Sequence, residues 1–207
     1  MKRLEQGRRH PSPSVVEALA KALWLVEDEQ VRLYSAAGYL APVRPAGRVP
    51  REITAPARHM LDRLTEVPVA VFDASWTVLA GNARWNAYDC GARAARERDR
   101  NIAWRTFTEA PTDVSRTPAR LATFQASLAA DLRAAQRRYG GDPGLQALIA
   151  DLHRTNGEFT RLWHLPGPAD HNLDRISVSQ PDTGALELDR DTFMVAGDLR
   201  IVVLTTP

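Results

Sequence analysis

The sequence predicts an α+β protein: an all-helical N-terminal part, then a larger domain that combines a five-stranded antiparallel sheet with flanking helices. Three observations lead to this prediction. Residues 1–40 place apolar side chains at helical spacing, residues 41–50 contain three prolines and a glycine, and residues 51–207 carry a hairpin, then helices, then strands. Because strands and helices are grouped and do not alternate, a parallel βαβ sheet is not expected. We therefore predict a domain at 1–40, a linker at 41–50 and a second domain at 51–207.

The N-terminal domain is predicted to contain two short helices. Pro13 fits the first position of a helix, and Ser12 before it can cap the free amide groups. The apolar positions that follow recur every three or four residues, at Val15, Val16, Leu19, Leu23 and Val26. A second helix is expected from about residue 28 to Gly38. Its apolar face consists of Val31, Leu33 and Tyr34.

The second domain is predicted to begin with a helix at 51–66 and a β-hairpin. Residues 67–73 and 77–82 are short apolar runs with many β-branched side chains, and the segment between them favours a turn. The C-terminal strands show the alternation of half-buried strands at 175–179 and 186–188. The segments 192–195 and 201–204 complete a meander of three strands, which gives five strands in all.

The middle of the second domain shows the clearest helical period. Its apolar positions are Leu121, Phe124, Leu128, Leu132 and Ala135. Asp142 followed by Pro143 predicts the start of the next helix, because an acceptor side chain caps the amides and proline fits the first turn. Thr155 and Glu158 predict a capping box for a third helix.

The composition is that of an ordinary globular protein and excludes several classes. Of 207 residues, 44% are hydrophobic and 25% are charged, and the formal net charge is +2. No run approaches the roughly 18 apolar residues of a membrane span, and the first residues lack the apolar core of a secretory signal. Because Cys90 is the single cysteine, no internal disulfide or multi-cysteine zinc site is expected. These features predict a cytoplasmic protein.

No catalytic or metal-binding signature is present. Glycine-rich phosphate loops and a G-x-S-x-G turn are absent, and none of the five histidines occurs at a metal-ligand spacing. Glu187, Asp189 and Asp191 share one face of a predicted strand, with Asp198 nearby, and paired carboxylates can act as acid and base. A solvated strand face explains them better, because no nucleophile or base accompanies them. We therefore predict that the protein is not an enzyme and binds no metal.

Arginine dominates the basic residues, since 25 of the 27 are Arg and the two lysines are Lys2 and Lys21. A GC-rich coding sequence explains this bias better than a general affinity for phosphate. At the N-terminus, however, Lys2, Arg3, Arg8 and Arg9 follow one another closely, and such side chains beside a helix end can contact phosphates. These four residues are the candidates for DNA binding.

Several motifs, in order along the chain, resemble known families. LEQGRRHPSPS at residues 4–14 is similar to the end of the recognition helix and the following turn of Cro/repressor-type (XRE/Cro-like) helix-turn-helix domains. The hairpin region 67–83, EFTRLW at 158–163 and GALELD at 184–189 resemble the MmyB-like family of transcriptional regulators. NIAWRTF at 101–107 is similar to a further motif of that family, with the order of Trp and Arg altered.

The resemblance implies both a fold and a function. In MmyB-like regulators the helix-turn-helix is followed by a PAS-like ligand-binding domain, so the implied protein is a one-component transcription regulator. It would bind operator DNA as a homodimer and hold an apolar, fatty-acid-like ligand, with no other cofactor. Such a pocket needs a concave apolar wall. The candidates for this wall are Val71, Leu79, Trp85, Trp104, Phe107, Phe124 and Phe193. Each of them also fits a place in the hydrophobic core.

The chain departs from the family pattern at its N-terminus. It starts inside the recognition helix, with Lys2 and Arg3 in the last turn, whereas the base-reading residues lie nearer the start of such helices. We therefore expect an N-terminally truncated helix-turn-helix, with weak or absent operator binding. The alternative is a ligand-binding or dimerisation module without DNA binding of its own. An in-frame upstream extension that encodes the missing helices would favour the regulator.

Overall fold

The computed structural model of the protein describes residues 11–23, 25, 27–40, 47–88, 97–108, 110, 112–165, 174–180, 184–195 and 197–207. The chain divides into two compact units, Met1–Pro45 and Ala46–Pro207. Each unit has a hydrophobic cluster of its own. No helix within the described ranges combines the length and the apolar character that a membrane span requires.

The first unit contains two helices among its described residues. Helix α1 spans Pro13–Ala22 and helix α2 spans Glu27–Ala36, so α1 begins at the predicted proline. The buried residues of this unit are Val16, Ala20, Tyr34 and Ala37. Leu23 and Val31 belong to the predicted apolar patterns of these helices but are 61% and 49% exposed. Two short helices cover only one side of each other, which leaves these side chains uncovered.

The second unit contains six α-helices among its described residues, together with a 3-10 turn at Glu97–Arg100. In chain order the α-helices are α3 (Ala55–Arg63), α4 (Ala83–Tyr88), α5 (Ile102–Thr108), α6 (Pro118–Tyr139), α7 (Pro143–Thr155) and α8 (Gly157–Trp163). Four of them start at a side chain that accepts a backbone N–H three residues ahead. These caps are Thr54, Thr117, Asp142 and Asn156.

The cap of α7 is the predicted one, but that of α8 is not. Asp142 Oδ1 accepts the N–H of Leu145 at 2.9 Å, which confirms the helix start at Asp142 and Pro143. At α8, Asn156 Oδ1 accepts the N–H of Phe159 at 2.7 Å, and Thr155 is the last residue of α7. The prediction was wrong by one residue because α7 continues up to the cap of α8 without a loop.

The strands of the second unit form one antiparallel sheet. They are β1 (Val69–Phe72), β2 (Val78–Gly81), β3 (Val114–Ser115), β4 (Asp174–Gln180), β5 (Gly184–Val195) and β6 (Leu199–Thr205). Their order across the sheet is β2-β1-β6-β5-β4-β3. The α+β class, the hairpin and the meander are thus confirmed. Among the described residues the sheet has six strands and not the predicted five, because β3 has two residues and is too short to show alternation.

The sheet has two differently covered faces. The outer face packs on α3 and presents Val69, Val71, Leu199 and Ile201. The inner face packs on helices α4 to α8 and presents Ala70, Phe72, Ile176, Val178, Leu188, Val202 and Leu204. Strand residues alternate between the two faces, so β1, β2, β5 and β6 each contribute to both clusters, whereas β3 and β4 contribute to the inner one. The larger cluster lies on the inner face.

Candidate ligand-binding cavity

A cavity of about 510 Å³ lies between the inner face of the sheet and helices α4, α5 and α6. This volume falls within the range of about 300–1,000 Å³ that small-molecule sites occupy. The sheet contributes Ile176, Val178, Arg190 and Leu204 to the wall. The helices and their loops contribute Trp85, Tyr88, Ile102, Arg105, Thr106, Ala110, Thr112, Val114, Ser115, Arg116 and Leu121. The wall is therefore largely apolar, and three arginines interrupt it.

Trp85 is held against the sheet by the start of α4. Asn82 Oδ1 accepts the backbone N–H of Trp85 at 2.8 Å and that of Val69 at 3.1 Å, which ties the helix to β1. Gly81 allows the indole to approach, because a Cβ at this position would lie 2.6 Å from Trp85 Cδ1. The close approach places the indole in the cavity wall.

The turn between β1 and β2 buries Trp76 beside the cavity. Asp73 Oδ1 accepts the backbone N–H groups of Ser75 and Thr77, each at 2.9 Å. Trp76 between them has a φ of 66°, a left-handed conformation that is uncommon for a large side chain. The carboxylate of Asp73 stabilises this conformation, and the indole is fully buried as a result.

Arginines and aromatic rings alternate in a row next to the cavity, which we call the arginine–aromatic row: Arg116, Phe124, Arg190, Trp76 and Arg200. Arg116 Cζ lies 3.9 Å from the Phe124 ring centre. Arg190 Cζ lies 5.0 Å from Phe124 and 5.1 Å from Trp76. Arg200 Cζ lies 4.9 Å from Trp76. All four distances are within the reach of about 6 Å for cation–π attraction.

Two carboxylates compensate the outer arginines of this row. Asp174 Oδ2 accepts from Arg116 Nε at 2.9 Å and lies 2.8 Å from its Nη2. Asp131 Oδ2 lies 3.2 Å from Arg200 Nη2 and accepts from Trp76 Nε1 at 2.7 Å. Arg116 and Arg200 therefore each have a carboxylate partner in a site with little access to water.

Arg190, in the middle of the row, has no such partner. The residue is 2% exposed, and among the described residues neither its Nη1 nor its Nη2 finds a hydrogen-bond acceptor. Burial lowers the pKa of Arg190 to about 9; repulsion from Arg116 and Arg200 acts in the same direction, and attraction by Asp174 and Asp131 opposes it. The side chain is still protonated at neutral pH. It therefore adds an uncompensated positive charge to an apolar wall.

The sequence of the second unit matches the model of a known protein family. The family model of the MmyB-like transcription regulator ligand binding domain matches residues 53–207, which is more than half of the chain. The chain belongs to this family. The resemblance inferred from the motifs is thus confirmed for the second unit, whereas the match does not include the helix-turn-helix segment. A search of the curated proteins found no match.

The MmyB-like domain places some of the predicted ligand-site residues at or near the cavity. Trp85 lies in the wall itself. Phe124 is buried under Arg116 and Arg190. Phe107 packs edge-to-face on Phe159 in the inner core, with ring centres 5.0 Å apart.

The remaining predicted residues lie away from the cavity wall. Trp104 is half-buried below the guanidinium of Arg98, at 5.4 Å. Val71 and Leu79 pack in the outer cluster, on the other face of the sheet. Phe193 is 52% exposed. A ligand-binding role stays a prediction for all seven residues, since no ligand contact tests it.

The other candidate groups are placed as follows. Lys2, Arg3, Arg8 and Arg9 lie outside the described residues. Asp189 accepts from Nε and Nη2 of Arg175, at 2.7 and 3.0 Å, on the neighbouring strand. Within the described residues, no three His, Cys, Asp or Glu side chains lie close enough together to hold a metal ion.

The sequence pattern did not reveal which sheet residues line the cavity. Ile176, Val178 and Leu204 were assigned to strands but not to a pocket. Arg190 was the residue that the pattern could have revealed: Leu186 and Leu188 mark one face of β5, and position 190 continues it. An arginine on the apolar face of a strand needs a charge partner.

Proposed function

We propose that this protein is a one-component transcription regulator that acts in the cytoplasm. Its second unit binds an apolar, fatty-acid-like molecule in the cavity, and its helical first unit contacts operator DNA within a homodimer. The ligand changes DNA affinity by preferring one of two conformations of the regulator. The observation that carries the proposal is the largely apolar cavity of about 510 Å³ in a domain of a regulator ligand-binding family.

The construction of the cavity supports an apolar occupant. Its wall combines branched aliphatic side chains from β4 and β6 with aromatic side chains from α4. Transfer of an alkyl chain from water into such a wall contributes about 0.8 kcal/mol per buried CH₂ group. A chain of ten to eighteen carbons is therefore the class of molecule to test first.

A cavity-filling variant tests ligand binding directly. Leu121 is half-buried in the cavity wall on α6, so Leu121→Trp should occupy part of the space. Ala122, the next residue of the same helix, is exposed and does not line the cavity, so Ala122→Trp is the matched control. The measurement is the thermal shift of the delipidated full chain with dodecanoate. A ligand at 100 times its Kd stabilises by about 2.7 kcal/mol.

The expected result is a clear rise in Tm for the native chain and for Ala122→Trp, and a smaller rise or none for Leu121→Trp. Equal shifts for all three proteins would place the binding site outside the cavity. No shift for any of them with acids of ten to eighteen carbons would contradict the ligand part of the proposal.

The DNA part rests on the resemblance of residues 4–14 and on the basic side chains Lys2, Arg3, Arg8 and Arg9. Its test selects genomic DNA fragments with the full chain and titrates the best fragment at several salt concentrations, with the native chain and with a variant in which Lys2, Arg3, Arg8 and Arg9 are all replaced by Gln. We expect binding that weakens with rising salt and is weaker in the variant, because phosphate contacts dominate affinity. Equal affinities of the two proteins would contradict the role of these side chains. No selected fragment would favour a ligand-binding or dimerisation module.

A further inference from the structure

A short segment at the start of the second unit, residues 47–51, is held against the end of the domain; we call this segment the strap. It belongs to no helix or strand and precedes α3. The side chain of Val49 is 4% exposed and is part of the inner core cluster. The N–H of Val49 donates to Asp142 Oδ2 at 3.0 Å, and Arg51 Nη2 donates to Asp142 Oδ1 at 3.1 Å. The strap is therefore docked at the cap of α7.

Arg51 also links the strap to the turn between β1 and β2. Its Nε lies 3.7 Å from Asp73 Oδ2, a buried oxygen that accepts no hydrogen bond from the described residues. The other oxygen of Asp73 shapes the turn through the N–H groups of Ser75 and Thr77. A buried carboxylate is costly unless a counter-charge compensates it. Because the Arg51 side chain is half-exposed, release of the strap would return its guanidinium to water and leave Asp73 without this counter-charge.

The same turn is in contact with the wall of the cavity. Ile102, a wall residue at the start of α5, donates its N–H to the carbonyl of Trp76 at 2.9 Å. The neighbouring Asn101 side chain donates to the carbonyl of Ser75 at 2.7 Å. On the sheet side, Cζ of the wall residue Arg190 lies 5.1 Å from the Trp76 ring centre. A molecule that packs on this wall therefore acts on the turn from two sides.

We propose that the strap couples the cavity to the first unit: an occupied cavity favours the docked strap, and an empty cavity allows the strap to detach more often. This inference rests on the proposed function and adds to it a route by which the ligand is sensed outside the cavity. A ligand packed against Ile102 and Arg190 restricts the movement of the turn. The Asp73 carboxylate is then kept at the position where Arg51 can pair with it.

The position of the strap in the chain makes its detachment consequential. The connection between the two units runs through it, since α2 ends at Ala36 and α3 begins at Ala55. Detachment would add five residues to the part of this connection that is not held by the second unit. Five extended residues span about 17 Å. A ligand that changes how often the strap detaches therefore changes the reach of the first unit.

Few contacts hold the strap, which suits it to a local transition. Within residues 47–51, Val49 alone is buried. Arg48 is exposed, and no hydrogen bond or ion pair joins it to another described residue. Segments with few buried contacts open at a lower free energy than the core of a domain. The strap can therefore detach while the sheet and helices stay folded.

Hydrogen–deuterium exchange of the delipidated full chain, with and without saturating dodecanoate, measures the docking of the strap. The amide of Val49 reports it directly, because docking is what pairs this N–H with Asp142. Amides of the buried strand β1 are the reference for global stabilisation. We expect dodecanoate to slow exchange in residues 47–51 by about fivefold or more relative to this reference, the lower end of usual coupling between two sites.

Arg51→Gln and Arg48→Gln are the matched variants, because each removes one positive charge from the strap and only the first removes the contacts to Asp73 and Asp142. Coupling is reciprocal, so a strap that docks less well must weaken the ligand. We expect Arg51→Gln to raise the Kd of dodecanoate about fivefold, although Arg51 does not line the cavity, and to lose the ligand-dependent slowing of exchange. Arg48→Gln should keep the native values. A purely structural role of Arg51 would lower the Tm and leave the Kd unchanged.

The outcomes separate this inference from the proposed function. Unchanged or faster exchange in residues 47–51 of a native chain that binds dodecanoate would overturn the coupling and leave ligand binding standing; this comparison requires no variant to fold. Equal Kd values for Arg51→Gln and Arg48→Gln would overturn the route through Asp73. If no acid of ten to eighteen carbons binds, the coupling is overturned together with the ligand part of the proposed function.

Discussion

Arg200 and Asp131 form an ion pair almost entirely inside the second unit, with Arg200 Nη2 3.2 Å from Asp131 Oδ2 and each side chain 7% exposed. The same carboxylate oxygen accepts from Trp76 Nε1, and Arg200 Nη1 donates to the carbonyl of Asp73 at 3.2 Å. The pair therefore joins β6 and α6 to the turn that holds Trp76. This ion pair therefore helps to hold Trp76 and Arg200 in place within the arginine–aromatic row.

Removal of one partner of this pair should be strongly destabilising. We expect Asp131→Asn to lower the free energy of unfolding by about 3–5 kcal/mol, because it leaves the Arg200 charge buried and uncompensated. The double variant Asp131→Leu with Arg200→Met should lose less than Asp131→Asn alone, since it removes both charges. Urea denaturation measures both. A loss below about 1 kcal/mol in Asp131→Asn would show that the pair contributes little.

Asp142 should contribute more to the free energy of unfolding than Thr117, the helix cap of α6. Besides capping α7, its carboxylate accepts the N–H of Val49 at 3.0 Å and lies 3.1 Å from Arg51 Nη2, so it also secures the start of the second unit. We expect Asp142→Ala to cost about 2–4 kcal/mol, from the lost cap and the buried N–H left without a partner. Thr117→Ala at the exposed cap of α6 is the control and should cost about 1 kcal/mol. Similar losses in chemical denaturation would contradict the additional role of Asp142.

Asp73 and Asp142 should respond to pH in opposite ways. Burial is the largest influence on Asp73 and raises its pKa above 3.8, against the hydrogen bonds from Ser75 and Thr77 and the charge of Arg51. At Asp142 burial also acts to raise the pKa. Hydrogen bonds from Leu145, Arg51 and Val49 together outweigh burial and hold the pKa of Asp142 below 3.8.

The direction in which pH changes the stability follows from the difference between the pKa of each carboxyl group in the folded and in the unfolded state. The stabilisation linked to neutral Asp73 is full below pH 3.8 and is lost as the pH rises through the folded pKa, so Asp73→Asn should be at least as stable as the native chain at pH 7. The stabilisation linked to ionised Asp142 is full above pH 3.8 and is lost as the pH falls through the folded pKa. Asp142→Asn should therefore be less stable than the native chain at pH 7, with a gap that narrows on acidification. Denaturation between pH 7 and about pH 3 measures both gaps; a larger loss for Asp73→Asn than for Asp142→Asn at pH 7 would refute this assignment.

Alanine in place of Gly81 tests whether Trp85 needs its close approach to the backbone, and alanine in place of Gly157 is the matched control. A Cβ on Gly81 would lie 2.6 Å from Trp85 Cδ1, whereas one on Gly157 would meet nothing within 4 Å. We expect Gly81→Ala to lower stability by about 1–3 kcal/mol and to weaken ligand binding, because the indole in the wall must shift. Gly157→Ala, in the first turn of α8, should be neutral or stabilising by up to about 1 kcal/mol. Unchanged affinity and stability in Gly81→Ala would show that the wall tolerates the displacement.

Periodicity made much of the fold predictable, because helices and strands repeat their apolar positions over several residues. The start of α7 at Asp142 and Pro143 and the hairpin of β1 and β2 followed from local chemistry. β3 did not, since its strand character depends on the distant partner Val178. Asn156 likewise acts as a cap only because α7 and α8 adjoin.

The cavity was less predictable than the fold. Aromatic side chains suit a core and a pocket equally, so Phe107 and Phe124 could not be distinguished from Trp85 by residue type. The alternation in β5 could have placed Arg190 on the apolar face, but the lack of a carboxylate partner becomes visible only once Arg116 and Arg200 are seen to engage Asp174 and Asp131. That comparison depends on contacts between residues far apart in the chain, which no local pattern encodes.

Native mass spectrometry of the full chain, purified without added lipid and without delipidation, is the decisive test of whether the cavity holds an apolar ligand. We expect a fraction of the protein to carry an added mass that is released on denaturation and extracts as an apolar acid, and the Tm to fall once that mass has been removed. A spectrum of ligand-free protein, combined with no thermal shift for acids of ten to eighteen carbons, would contradict it.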